Sequence, residues 1–600
     1  MKTRFIFLFI KLILVALLIT GLFMLLASLL SFGTLASLLN RLASDGELES
    51  FTVFIYQTFR MPFALIGAAT AVLTGFALLR WQKTEAWLVG LPSRIRRFFP
   101  LLRTDSQTFI TDAMAAIEAV GKGGIVILVA AMGVALVMRL GRLDIPLSHD
   151  EAYMYNAFAS RSIWHMVSNY HLPNNHVFLS IVMHITTRLL GNAVWTLRTP
   201  TILVGVFTIP AIYWLARRYY SHETALVSAM LVSVIPLFVN YSVWARGYIF
   251  IIFFTLLTLA LGDYTRVKKN RFAWLLLVIF SALGFFTIPI MLFTFGALYI
   301  WLLVSLFLDD VRSYETKHDY LKYWVSSGLI TACLTVLLYM PIIVNNSDRF
   351  FGNNFIAPLD WEVFLETLLT RLRNTWIDWT AFVPTWISYL GVLGFLLSII
   401  FHKKFSKHKF PIQFAFLIWI GIMLIARRPD MLPRFWMFLA GPLLIWAVAG
   451  IVEPLRRIPV KIWNKWNPAG VFVTGIFILV VAQGILTIPS IPTAWEKKDP
   501  MEKTAVYLKD IIDRDDLITA TNARLPALRY YFNYYDIPRG SIRQSGSFQR
   551  AFIIVDIKKG DTLESVVPKL GFGVPAVDMD SAKEVARFDF LIVYECYPSQ

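Results

Sequence analysis

Long apolar stretches alternate with short polar ones along most of the chain. They fall near 5–31, 60–80, 123–141, 197–216, 223–241, 247–262, 271–287, 289–308, 324–344, 384–401, 410–426, 433–452 and 468–488. A helix of about 20 apolar residues crosses the hydrocarbon layer of a bilayer. The pattern therefore predicts a polytopic α-helical membrane protein with about 13 transmembrane helices. The opening stretch, MKTRFIFLFIKLILVALLITGLFMLLASLL, has an apolar run longer than a signal sequence carries and no clear small-residue cleavage site, so it reads as a retained first span.

Two further segments read differently. HVFLSIVMHITTRLL (176–190) is short and contains His184, Thr186, Thr187 and Arg188, which suits a helix lying at or dipping into a membrane surface. In LDWEVFLETLLTRLRNTWIDW (359–379), Leu359, Trp361, Phe364, Leu365, Leu368, Leu369, Leu372 and Trp376 recur at helical spacing. That periodicity predicts an amphipathic helix, either interfacial or packed on the protein surface.

Beyond residue 490 the period changes again. KTAVYLKDIID, PALRYYFNYY and TLESVVPKL read as helices, while LITAT, AFIIVDI and FDFLIVYEC read as strands, a small α/β domain with a few parallel strands. No glycine-rich phosphate loop joins strand to helix there, so the domain is assigned no cofactor. The organisation expected is an N-terminal two-span extension with a basic loop (1–122), a transmembrane module (123–490) and a soluble domain (491–600).

Composition agrees with the hydropathy pattern and excludes a soluble protein: 57% of residues are hydrophobic and only 16% charged. Charge adds an orientation. From Thr493 to Gln600 the chain has 15 Lys and Arg against 16 Asp and Glu, so the formal net charge of +17 belongs to the membrane part. With the N-terminus cytoplasmic, the basic loops at 80–103, 216–220, 265–271, 402–409 and 455–466 all fall on the cytoplasmic side, provided 176–190 does not span. The excess thus reports topology and implies no nucleic acid partner. The loops 142–196 and 345–383 and the C-terminal domain are then extracytoplasmic, and the positive charge upstream of that domain on this side is arginine, suited to a planar donor role toward phosphate.

The first of these loops opens with LSHDEAYMYN (147–156), two adjacent carboxylates just beyond a span. Ser148 followed by Glu151 has the spacing of a capping box, which gives Glu151 a structural use and leaves Asp150 the stronger candidate for chemistry. His149, His165, His171, His176 and His184 share this loop, but their spacing is irregular, so a divalent metal is possible and not favoured. Cys333 and Cys596 lie in unrelated settings and suggest neither a disulfide nor a metal site. There is no Ser-His-Asp signature, Walker loop or zinc module.

LSHDEAYMYNAFA, followed by the stretch from HLPNNHVFLSIVMHITTRLL through NYSVWARGYIF and later by PRFWMFLAGPLLI, resembles the GT-C superfamily of polyprenyl-phosphate-sugar glycosyltransferases. The nearest branch in appearance includes protein O-mannosyltransferases and the lipid A aminoarabinose transferase. The likeness is strongest over 142–262 and weaker through 452. It implies an integral-membrane enzyme that moves a sugar from a polyprenyl-phosphate donor to a glycan, lipid or protein hydroxyl at the outer face of the cell membrane. By this resemblance Asp150 is the catalytic acidic residue, with Glu151 beside it. Asn174, Asn175 and His176 begin the helix bordering the site, Arg246 and Tyr248 come from the second outer loop, and Arg434 stands near the lipid phosphate. Arg371 and Arg373 are further phosphate candidates. Some relatives carry a second carboxylate in the second outer loop, and NYSVWARGYI has none, which weakens a metal-bridged site. A lipid-linked oligosaccharide transferase is the alternative within the enzyme class. A transporter or lipid-binding membrane protein is the alternative outside it.

Overall fold

In lipid every backbone polar group must be paired within the protein, so an apolar chain of this length folds as helices. The computed structural model describes residues 2–41, 53–170, 172–351, 358–458, 467–513, 515–538, 542, 548–567 and 577–599. His171, the basic loop beyond Ile458 and the end of the helix expected at TLESVVPKL lie outside the described residues. All 13 apolar segments coincide with helices. Among the described residues, seven helices are long and apolar enough to cross a membrane unbroken, and two bent pairs bring the number to nine. Arg271–Thr287, Met291–Phe307 and Ile412–Arg427 are shorter apolar helices. One bent pair, His222–Val234 with Pro236–Val243, turns by 55°. Pro236 cannot donate a helical hydrogen bond and so restarts the helix. The other joins Trp361–Thr380 to Thr385–Ile400 at 115°, so the amphipathic segment lies across the span that follows it.

The chain forms two compact units, one of Met1–Thr108 with Asn346–Asn354 and one of Phe109–Asn345 with Phe355–Gln600. In the first, helices Lys2–Leu29 and Val53–Leu79 pack together through Gly21 and Gly67. A Cβ on Gly67 would lie 2.7 Å from the Gly21 carbonyl oxygen, so this approach of backbones requires glycine. The division falls within the helix Leu91–Glu118, upstream of the boundary expected at 122. From Phe109 onward that helix packs into the second unit, where Phe109 meets Trp214, Tyr264 and Phe272, and Asp112 pairs with Lys268.

In the second unit, the span Gly121–Leu140 leads into the short helix His149–Met154, a π-turn at Tyr155–Ala159, and helices Ile163–Ser168 and Val177–Leu190. The C-terminal domain packs on this segment. Leu147 N donates to Asp499 Oδ2 (2.6 Å), Asn156 Nδ2 to the Pro526 carbonyl (2.9 Å), and Tyr530 OH to the Asn192 carbonyl (2.5 Å).

The domain's sheet has four strands, β1 (Leu517–Ala520), β2 (Ala551–Asp556), β3 (Val577–Phe588) and β4 (Leu591–Pro598), in the order β1-β2-β4-β3. Among the described strands β1 and β2 are parallel, and β4 runs antiparallel to both neighbours. The expectation of a few parallel strands is met by the one pair β1 and β2 and corrected for the rest. The cause is the unpredicted strand β3, joined to β4 by a two-residue turn in which Asp589 has φ 54°. So short a connection can only form an antiparallel hairpin.

Candidate active site

Ser148 caps the helix His149–Met154, its hydroxyl accepting from Glu151 N while the Glu151 carboxylate accepts from Ser148 N at 3.0 Å. The expected capping box is formed. Glu151 does more than cap, because its fully buried carboxylate also accepts from Ala245 N (2.9 Å) and from Arg198 Nε (3.0 Å) and Nη2 (3.3 Å). Burial alone would raise its pKa, but the Arg198 charge and these donors outweigh it and hold Glu151 below its ordinary value. Arg198 also donates to the Leu143 carbonyl, so the pair ties together the end of one span, the acidic loop and the turn before Tyr248.

Asp150, one position earlier, faces a different environment. It lines a cavity of about 430 Å³ together with His149, Tyr241, Trp244, Arg246, Tyr248, Asp378 and Arg434. Its Oδ2 lies 3.4 Å from Arg246 Nη2 and 3.9 Å from Arg434 Nη1, and its Oδ1 lies 3.1 Å from His149 Nδ1. Burial pushes the Asp150 pKa up, yet the His149 hydrogen bond and the charges of Arg246 and Arg434 together hold it well below the usual carboxylate range. Both arginine contacts are longer than a good charge-assisted hydrogen bond. Arg246 Nε is buried without a partner, and the Arg434 side chain is 46% exposed. Neither guanidinium is saturated by Asp150.

The remaining candidates divide into cavity wall and scaffold. Tyr248 is wall, with its ring edge-on to Tyr241 at 5.6 Å and the Arg246 guanidinium 5.7 Å from its centroid. His176 is scaffold. Its Nδ1 accepts from Gly247 N at 2.8 Å, and a Cβ at Gly247 would come within 2.9 Å of that nitrogen. The turn carrying Arg246 is thereby seated on the histidine. Burial, then Arg246, push the His176 pKa far below its ordinary value, so the ring is neutral and able to accept. Asn174 Nδ2 donates to the Asp150 carbonyl at 3.3 Å. Buried Asn175 bonds the Met166 and Asn169 carbonyls and Ser180, away from the cavity.

Three candidates change place. Glu151 does not line the cavity, because four hydrogen bonds hold its buried carboxylate within the protein. Arg371 pairs with Asp430, and neither it nor exposed Arg373 lines the cavity. The helix carrying them contributes Asp378 instead, whose pKa is raised by burial. Sequence reading missed Asp378, Tyr241 and Trp244, and weighed His149 only as a metal ligand. A lone carboxylate set among Trp376, Ile377 and Trp379 was the available signal for Asp378. Among the described residues no group of three or more His, Cys, Asp or Glu side chains is arranged to hold a metal ion.

The chain, a multi-span helical bundle with a small domain packed on its acidic first loop, shares its fold with a solved structure and matches a family model over part of its length. Residues 177–339 match the family model described as dolichyl-phosphate-mannose-protein mannosyltransferase. The apo crystal structure of ArnT from Cupriavidus metallidurans is similar over 79% of this chain and 98% of that one, at 13% identity and a TM-score of 0.50. The same protein bound to undecaprenyl phosphate aligns at 14% identity over the same shares, with a TM-score of 0.48. The archaeal oligosaccharyltransferase AglB from Archaeoglobus fulgidus, in complex with an inhibitory peptide and a dolichol-phosphate, aligns over 73% of this chain and 69% of that one at 12% identity and a TM-score of 0.44. No curated protein matches the chain by sequence.

Proposed function

We propose that the protein is an integral-membrane glycosyltransferase that moves a sugar from a polyprenyl-phosphate donor to an acceptor hydroxyl, with inversion, at the extracytoplasmic face of the cell membrane. One observation carries the reading: the Asp150 carboxylate shares a cavity with two incompletely paired arginines that face it. The fold and the dolichyl-phosphate-mannose family match support the donor class.

The chemistry follows from these groups. A polyprenyl phosphate leaves as a stable anion and needs positive donors more than a general acid. Arg246 and Arg434 receive that phosphate. In doing so they loosen from Asp150, whose basicity rises as the opposing charges turn away. The acceptor oxygen attacks the anomeric carbon, its proton passes to Asp150, and the C–O bond to phosphate breaks with the electron pair leaving on the phosphate. Asp150 as base and the arginines as the site for the leaving anion suit direct displacement. Asp378 and the rings of Tyr241, Trp244 and Tyr248 offer hydrogen bonds and apolar faces to the sugar.

The test is incubation of the purified full chain with a polyprenyl-phosphate sugar labelled in the sugar, together with delipidated cell-envelope glycan and envelope lipid. Asp150-dependent appearance of label in an acceptor, with release of polyprenyl phosphate, is expected. Transfer that requires a lipid-linked oligosaccharide and ignores the monosaccharide donor would replace this reading.

A further inference from the structure

A second cavity, of about 510 Å³, lies between the acidic loop and the C-terminal domain. Tyr153, Asn156, Ala157, Arg161 and His165 line one side, and Pro526, Arg529, Asn533 and Ile542 line the other. Among the described residues no carboxylate lines it, and Arg161 and Arg529 have no acidic partner. Both side chains are exposed, one from each wall. This contrasts with Arg246, Arg434 and Arg198, each of which faces a carboxylate.

The cavity is a built feature rather than a loose cleft. Asn156 Nδ2 donates to the Pro526 carbonyl, Asn533 Nδ2 reaches Asn156 Oδ1 at 3.4 Å, and Tyr155 meets Tyr530 edge-on at 5.5 Å. These contacts hold the helix Leu525–Tyr534 against the π-turn Tyr155–Ala159 and set the two arginine-bearing walls face to face. Such π-turns are frequent at functional sites.

Its relation to Asp150 is direct. His149 and Tyr153, four residues apart on one helix, stack with centroids 5.9 Å apart and planes 13° from parallel. Tyr153 lines the second cavity, while His149 lines the first and touches Asp150. A stacked pair of rings is thus the partition between the two.

We infer that this cavity binds a phosphate group of the acceptor, holding it between Arg161 and Arg529 so that the acceptor hydroxyl passes the His149–Tyr153 partition and meets Asp150. The inference rests on the proposed transferase reading. Paired guanidinium groups from opposite walls suit an anion with several acceptor oxygens, and asparagine amides beside them suit neighbouring hydroxyls.

The experiment is titration of inorganic phosphate against the full chain in neutral-lipid nanodiscs, followed by ³¹P line broadening. Two classes of site are expected. R161Q/R529Q weakens one class by about tenfold or more, and R246Q/R434Q weakens the other. R161K/R529K, which keeps the charge but not the planar fork, retains more of the binding than R161Q/R529Q and guards against a folding defect. An unchanged titration in R161Q/R529Q overturns the inference. Loss in R161Q/R529Q with no change in R246Q/R434Q leaves the inference standing and removes the proposed donor-phosphate site instead. Displacement of the phosphate by phosphatidic acid in the nanodisc identifies a lipid headgroup as its source. Displacement by glucose 6-phosphate alone identifies a glycan phosphate.

Discussion

Asp150 and Arg246 stand 96 residues apart in the chain, yet Arg246 holds both ends of Asp150, with Nη2 3.4 Å from the carboxylate and Nη1 3.5 Å from the backbone carbonyl. The arginine positions the residue whose charge it also masks. A carboxylate masked in this way is a poor base until another anion takes the arginine, and this couples the proposed donor binding to the proposed chemistry.

Asp150 and Glu151 separate chemistry from folding. Asp150→Asn keeps the shape of a half-buried side chain and removes its proton-accepting power. Transfer is expected to fall by roughly a hundredfold or more with normal membrane insertion. From the capping box alone, Glu151→Gln is expected to be mild. The buried pair with Arg198 reverses that expectation, because losing one partner of a buried ion pair costs about 3–5 kcal/mol. Thermal unfolding of the two purified variants beside labelled-sugar transfer checks both, and a stable, inactive Glu151→Gln would contradict the assignment.

Arg246→Ala and Arg434→Ala are each expected to lower donor turnover on the order of a hundredfold, about 3 kcal/mol of transition-state stabilisation. Arg246→Lys recovers little of this, since an ammonium cannot span two oxygens as a guanidinium does. Initial rates at varied donor concentration provide the measurement. Unchanged kinetics in both alanine variants would move the phosphate site elsewhere.

The pH profile has a defined sign. A base must be deprotonated to act, and the free-protein pKa of Asp150 lies below the ordinary value. The acid limb of kcat/KM, which reports the free enzyme, is therefore expected below the ordinary Asp value of about 3.9. The acid limb of kcat is expected at higher pH, because bound phosphate has drawn the arginines away. Arg434→Ala moves the kcat/KM limb upward toward the ordinary value. Coincident limbs for kcat and kcat/KM would argue against the hand-over of the arginines.

Orientation is tested by cysteine labelling. Cys596 is buried, so Cys333→Ser provides a quiet background. Ser160→Cys, at an exposed position near the proposed acceptor cavity, is expected to react with an impermeant thiol reagent added outside intact cells. Lys403→Cys, exposed in the basic loop at the opposite end of its span, is expected to react only after permeabilisation. Outside labelling of Lys403→Cys would invert the topology drawn from the basic loops.

The sequence by itself determined where the apolar helices lie and the cap at Ser148 and Glu151, and the family resemblance put Asp150, Arg246 and Arg434 among the candidates. Hydropathy, periodicity and capping are properties of neighbours in the chain, so they can be read without a fold. Tertiary structure decided what those neighbours face. The burial of Glu151 depends on Arg198, 47 residues away, and on the turn at Ala245. Arg371 pairs with Asp430 while Asp378 enters the cavity, because packing selects which face of the amphipathic helix meets the loop before Arg434. The strand β3 was hidden because its residues, VDMDSAKEVARF, alternate poorly, and its pairing with β4 comes from the turn at Asp589 rather than from its own pattern. A local pattern specifies an element. Only the meeting of distant elements specifies the field in which a carboxylate works.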